Sequence, residues 1–219
     1  MKKIIPATFV VAVALLFFGC GKGNELCELV SEYRSAVYTA ESGDAALQAY
    51  YSQKEYPYAA DGVAAAMTSC FEVQATLPDN TLTYTVSFRC GEKSFGGEMS
   101  YDSVRQVFCF SQSMEEPSEE TMTFTVTAEG ENAPAYTFEA KKAGKDLLTL
   151  GELLSRIDEN KKSELEQFGG KQFGGEIYVR LMVQDEKCYY YVGFIDRSGK
   201  CLSFLADAQT GEVLATKSS

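Results

Sequence analysis

The chain has 219 residues, 20 basic and 31 acidic, with no His and no Trp. The acidic balance excludes nucleic acid, whose phosphates need cationic partners, and opposes a fold lying flat on an anionic leaflet. Without His, the Ser–His and Cys–His nucleophile pairs are closed off, as are the common catalytic zinc sites. No catalytic residue, metal site or cofactor is therefore expected, and an enzyme working through carboxylates or lysine is the minority reading.

At the N-terminus, Met1-Lys2-Lys3 precedes an apolar run over residues 4–18 and then Gly19-Cys20. Two lysines, about fifteen apolar residues and a small residue form the build of a secretory signal. A permanent spanning helix needs about twenty apolar residues, and Pro6 breaks the first turn of this one. An ordinary signal with an incidental Cys20 is the alternative. The stretch resembles the lipobox of bacterial lipoproteins in Gly19 and Cys20, and departs from it at Phe17 and Phe18. The resemblance implies cleavage between Gly19 and Cys20 and a diacylglycerol on the Cys20 sulfur. The membrane would then be a partner through the N-terminal lipid, with the protein facing outside the cytoplasm. Two or three acyl chains anchor durably where one does not, and Gly21-Lys22-Gly23-Asn24 would serve as a polar tether.

With Lys2 and Lys3 removed, 18 basic and 31 acidic residues remain, a net −13. Residues 24–146 hold 8 basic and 20 acidic side chains, and residues 147–219 hold 9 and 11. That imbalance points to two domains with different surfaces. Six cysteines follow Cys20. An even number outside the membrane allows a disulfide framework, but their apolar and aromatic neighbours favour free thiols acting as small hydrophobes.

"NELCELVSEY" spaces Leu26, Leu29, Val30 and Tyr33 as a short helix with Asn24 as N-cap. In "SAVYTAESGDAALQAYYSQ", Gly43-Asp44 between two runs of small and aromatic residues predicts a hairpin, against a continuous helix. "EYPYAADG" is a loop in which the Tyr56-Pro57 bond can be cis and Asp61-Gly62 turns. Five strand-like runs follow: "FEVQATL", "TLTYTVSFRC", "VRQVFCFSQ", "TMTFTVTAE" and "AYTFEAKK". Leu82, Tyr84, Val86 and Phe88 alternate with Thr and Ser, as on a strand with one buried face. Short strands with frequent turns predict a sandwich or barrel. The acids Glu115, Glu116, Glu119 and Glu120 fall in a connecting loop. They lack calcium-loop spacing, so they are expected to be solvated.

The period then changes. Leu150, Leu153, Leu154, Ile157, Leu165 and Phe168 mark one face of a helix ended by Gly169-Gly170. No helix follows "QFGGKQFGGE", so the segment lacks the dipole of a phosphate loop and is a helix-to-strand connector. "KCYYYVGFIDRSGKCLSFLADAQTGEVLATK" predicts a hairpin about Asp196-Arg197-Ser198-Gly199. With Ile195 opposite Lys200, it places Cys188, Tyr190, Val192, Phe194, Cys201, Ser203 and Leu205 on one face. The helix would cover this sheet.

"YYVGFIDRSGK" and "LADAQTGEVL" resemble the hairpin and Asp-x-x-Thr-Gly-Glu ending of the PepSY family. The order of the whole chain is similar to lipoproteins of Gram-positive bacteria. The resemblance implies an extracytoplasmic protein, associated in some members with peptidase inhibition, with no catalytic residues to carry over. Asp207, Thr210 and Gly211 are turn chemistry. The expected class is α+β: an N-terminal antiparallel β-sandwich or partial barrel, then a C-terminal helix packed on an antiparallel PepSY-like sheet. The expected boundaries are a signal over 1–19, a lipidated tether and helix start over 20–30, a β-rich domain over 31–143 and the PepSY-like domain over 147–219. The expected function is a membrane-anchored, non-catalytic binding or regulatory module for a protein or peptide. The alternative is a carrier of an apolar ligand or lipid.

Overall fold

The computed structural model describes residues 23–56, 65–171 and 173–219. A short helix, α1 (Gly23–Cys27), leads into two long strands, β1 (Val30–Ser42) and β2 (Ala45–Glu55). They meet in the expected two-residue turn, where Ser42 pairs with Ala45 and Gly43 takes φ +65°. The helix expected to reach Tyr33 stops at Cys27. Residues 32–34 instead have a strand partner on both sides, and tertiary pairing outweighs local propensity there.

Seven strands follow: β3 (Met67–Thr76), β4 (Tyr84–Cys90), β5 (Lys93–Glu98), β6 (Ser100–Asp102), β7 (Val107–Gln112), β8 (Thr121–Ala128) and β9 (Ala135–Lys142). They pair in the order β5-β4-β8-β9-β1-β2-β3-β7-β6, which curls into a nearly closed barrel. Where β5 comes back towards β7, a Cβ added at Gly97 would lie 2.9 Å from the Phe110 ring. Only glycine permits that approach.

The barrel interior is aromatic. Phe71, Phe124, Tyr84, Tyr38 and Phe138 have no exposed surface. Phe71 and Phe124 stack at 6.3 Å, and Phe88 lies 5.4 and 5.0 Å from them. The alternation in "TMTFTVTA" puts Met122, Phe124, Val126 and Ala128 inward. Buried phenols have partners, as burial requires: Tyr38 donates to the Glu119 carbonyl at 2.8 Å and Tyr84 to that of Asp79 at 3.0 Å.

A helix, α2 (Leu150–Gly169), then leads to β10 (Glu176–Gln184), β11 (Lys187–Ile195), β12 (Cys201–Asp207) and β13 (Val213–Ser218). Thr149 and Glu152 form a capping box at the start of α2, and Gly170, at φ +76°, donates to the Glu166 carbonyl at its end. The face of Leu153, Leu154, Ile157 and Leu165 covers Ile177, Val179, Leu181, Tyr190, Val192, Phe194, Leu202 and Phe204. Each fully buried aliphatic side chain contributes about 1.5–3 kcal/mol. The helix departs from regular geometry at Lys161 (φ −125°, ψ 21°), where the period that runs through Ile157 calls for an apolar residue and finds a lysine.

The α+β class is corrected. Among the described residues about 55% are strand and 12% helix, the sheet is mostly antiparallel, and two helices flank it. The C-terminal strands do not form a separate PepSY-like α+β layer, because β10 pairs in parallel with β1 and joins them to the barrel's sheet. Residues 143–149 connect β9 to α2, and the two cores meet on β1, which pairs β9, β10 and β2. Two strands, β5 and β6, escaped the sequence pattern because "KSFGGE" and "SYD" carry no apolar alternation.

The hairpin register is also corrected. Ile195 pairs with Cys201, not Lys200, because Gly199 at φ +83° adds a left-handed residue to the turn. One step reverses every side chain of β12. Leu202, Phe204 and Ala206 therefore join Tyr190, Val192 and Phe194 under α2. Cys201 and Ser203 do not.

Candidate binding cleft

Two irregularities on β1 bracket Glu32 and Arg34. Its register with β10 shifts between Val30 and Glu32, and its register with β2 shifts between Arg34 and Ala36. Such bulges re-aim side chains. Between them, Glu32 stands opposite Tyr178 on one side and Lys54 on the other, and Arg34 stands opposite Arg180. The result is a cleft of about 390 Å³ lined by Ser31, Glu32, Lys54, Glu55, Tyr178, Arg180 and Ile195.

Arg180 grips Glu32 with both prongs, Nε to Oε1 at 2.9 Å and Nη2 to Oε2 at 2.7 Å. The Lys54 ammonium lies 4.0 Å from Oε1. Burial opposes ionisation of Glu32, but the Arg180 hydrogen bonds and charge, with Lys54 and Arg34 behind them, hold its carboxyl below the ordinary range. The Arg180 guanidinium also sits 5.0 Å over the Tyr178 ring, which stacks on Tyr191 at 5.8 Å. Gly193 makes room for that ring, since a Cβ there would fall 2.1 Å from Tyr178 Cζ. Burial, then hydrogen bonds with Cys201 and Tyr191, push the Tyr178 phenol well above its usual range. It is a neutral hydrogen-bonding group at any physiological pH.

Glu55 differs from Glu32. Its carboxyl is buried at 6% exposure. Oε1 accepts the Ala65 N–H, and Oε2 has no partner.

A hydrogen-bonded chain extends the polar surface over β2 and β3. The Arg34 guanidinium lies 3.8 Å over the Tyr50 ring, and Tyr50 donates to Glu72 Oε1. Gln74 bridges Tyr50 and Glu72 at 2.7 and 2.6 Å, and Arg105 reaches Glu72 at 3.6 Å. Burial would raise the Glu72 carboxyl, but hydrogen bonds from Tyr50 and Gln74 and the charges of Lys54 and Arg105 lower it. These carboxylates are held ionised, which suits charge recognition and not proton transfer at neutral pH.

The residues that the sequence singled out lie elsewhere. Gly19 and Cys20, and the turn at Asp61-Gly62, fall outside the described residues, as does Pro57. The acidic loop lies at the surface as expected, with Glu115, Glu116 and Glu120 exposed, and two of its acids are bonded. Glu119 accepts the Gly91 N–H at 2.6 Å, and Glu116 accepts the Ser35 hydroxyl at 2.8 Å. Burial and the adjacent Glu119 push the Cys90 thiol up to about 11. Asp207 does what a turn residue should, accepting from Gln209 N–H, Thr210 N–H and Thr210 Oγ1 at 2.8–3.0 Å, with Gly211 at φ +70°. All six described cysteines are free and partly buried. Among the described residues no three metal-binding side chains converge, and no helix is long and apolar enough to cross a membrane.

The cleft itself escaped the sequence reading. One signal was present: "YVRLMV" and "SEYRSAV" each put an arginine inside an apolar strand, where an unpaired charge would be costly. In comparisons with known proteins, no family model matches the chain, and no curated protein or solved structure matches it.

Proposed function

We propose that the chain is a lipid-anchored extracytoplasmic lipoprotein that binds a protein or peptide at the cell envelope without catalysing a reaction. The anchor rests on the lipobox-like Gly19-Cys20 that closes an apolar run. Binding in place of transport rests on one observation: the barrel interior is filled by its own rings, with Phe71, Phe124 and Phe138 wholly buried. A carrier of an apolar ligand needs an interior that side chains leave empty. The described surface offers instead a cleft with Tyr and Arg, the residue types enriched where proteins bind one another. Carboxylates pushed down, with no histidine in the chain, supply no general base poised near neutral pH.

Two measurements test the reading. Cys20→Ala should leave the precursor unprocessed and lacking lipid, and an unchanged mass and membrane attachment would end the anchor. Photo-crosslinkers placed around the cleft in intact cells should capture an envelope protein or peptide. A co-purified lipid in the barrel, or turnover lost with one carboxylate, would overturn the binding role.

A further inference from the structure

The cleft has unused bonding capacity of both signs. Glu32 is satisfied by the Arg180 fork, which engages Nε and Nη2 and leaves Nη1 without a hydrogen bond to that carboxylate. Lys54 is half-exposed, and its nearest carboxylate oxygen is 4.0 Å away, too far for a hydrogen bond. Donors therefore remain on Arg180 and Lys54. Across the same cleft, Glu55 offers Oε2, buried and unpartnered. Leaving a buried carboxylate oxygen without a donor is costly, and such unpaired groups persist where a site needs them. Tyr178 and Ile195 add an aromatic and an aliphatic wall. An ammonium suits a place between Glu55 and an aromatic ring, while a carboxylate suits the free guanidinium and ammonium donors. The volume, about 390 Å³, lies within the range of small-ligand sites.

We infer that this cleft binds an α-amino zwitterion, a free amino acid or a short peptide, with its ammonium on Glu55 and its carboxylate on Lys54 and Arg180. The inference deepens the binding-module reading and rests on it. It makes the peptide partner one recognised by its charged ends.

The test uses the full chain, purified in detergent, and calorimetric titration with L-leucine and with the dipeptide Ala-Leu. N-acetyl and C-terminal amide forms of each serve as blocked probes. Either zwitterion should bind, and blocking either end should weaken binding roughly tenfold or more, the value of one charge-assisted hydrogen bond. Preference for leucine assigns the site to free amino acids, and preference for Ala-Leu assigns it to peptide ends. Glu55→Gln should weaken binding by a similar factor yet raise the Tm of the unliganded chain by roughly 2–4 °C, because the unpaired oxygen is replaced by a neutral amide. Lys54→Met should shrink the penalty for the amide probes, since only Arg180 then meets the carboxylate, and leave that for the acetyl probes. Blocked forms that bind as well as free ones, absence of binding by both zwitterions, or a Glu55→Gln chain that is less stable would each overturn the inference. Capture of an envelope protein by the crosslinkers around the cleft would persist in that event, so the broader reading survives the failure of this one.

Discussion

The two halves of the sheet bury their apolar faces in different ways. The barrel half curls until the face of Phe71, Val86, Phe88 and Phe124 meets itself, and it needs no helix. The C-terminal half stays open and hides Val179, Val192 and Phe204 under α2. A closed sheet with a filled interior leaves only its outside for recognition. An open sheet covered by one helix keeps a second, solvent-facing side, and there Tyr178, Arg180 and Tyr191 stand. The cleft forms where β1 passes from one regime to the other, at its bulges. Position in the fold therefore follows from how each half solves its burial problem.

The largest expected effect concerns whether those halves are independent. Phe124→Ala removes the ring on which Phe71 and Phe88 converge and should cost about 3–5 kcal/mol, and Ile157→Ala beneath α2 about 2–5 kcal/mol. Because β1 pairs with strands of both halves, both substitutions should shift one common urea transition. Two transitions, each moved by only one substitution, would restore the separable domains expected from the charge and pattern change at residues 142–147.

Much of this contrast was legible in the sequence, unevenly. Period-two runs such as "TLTYTVSF" and the helical stripe from Leu150 to Phe168 mark elements because burial is one-sided there. Gly43-Asp44 marks its hairpin because few other pairs adopt that turn. The class was misread because parallel pairing of Val30 to Arg34 with β10 joins segments about 146 residues apart, a contact with no local signature. The register of β12 was misread for the opposite reason. It depends on one backbone angle, at Gly199. The cleft was invisible as a site because Glu32, Lys54 and Arg180 are ordinary surface residues until three strands align them.

Gly193→Ala should have the next largest effect. The new methyl group would occupy the Tyr178 ring's space, with an overpacking cost of about 1–3 kcal/mol. The damage should centre on the open face, with the Tyr178–Tyr191 stack lost and the barrel's ring stack kept, as aromatic chemical shifts would report. Equal perturbation of Phe124 would mean that the two halves are mechanically continuous through β1.

The Glu32–Arg180 fork tests the seam by pH. The Glu32 carboxyl is depressed in the fold, so its stabilising contribution is present above the unfolded value, about 4.3, and is lost as pH falls through the lower folded value. Arg180→Leu removes both hydrogen bonds and leaves Glu32 partly buried, at about 1.5–3 kcal/mol near neutrality, less whatever solvent screening the half-exposed arginine already suffers. The difference between the two chains should shrink below about pH 4, as Glu32 takes up a proton. A difference constant from pH 7 to pH 3, in urea midpoints, would assign the arginine's role to packing on Tyr178.

The smallest expected effect belongs to the helix that only one half requires. Thr149 accepts the Glu152 N–H, and its own N–H and hydroxyl donate to the Glu152 carboxylate at 2.9 and 2.8 Å. Thr149→Ala removes the cap oxygen and should cost about 0.5–2 kcal/mol. Its location makes it informative, because Leu148 beside it donates its N–H to the Ala208 carbonyl and accepts the Tyr190 hydroxyl. Fraying at the first turn would therefore loosen the covered face of β11 before it reached any barrel strand. Hydrogen exchange should rise at residues 149–154 and at Leu148, whose N–H makes the bond to Ala208, with exchange at β4 and β8 unchanged. Faster exchange throughout β8 would show that α2 supports the barrel as well, and the division between a self-closed half and a helix-covered half would then fail.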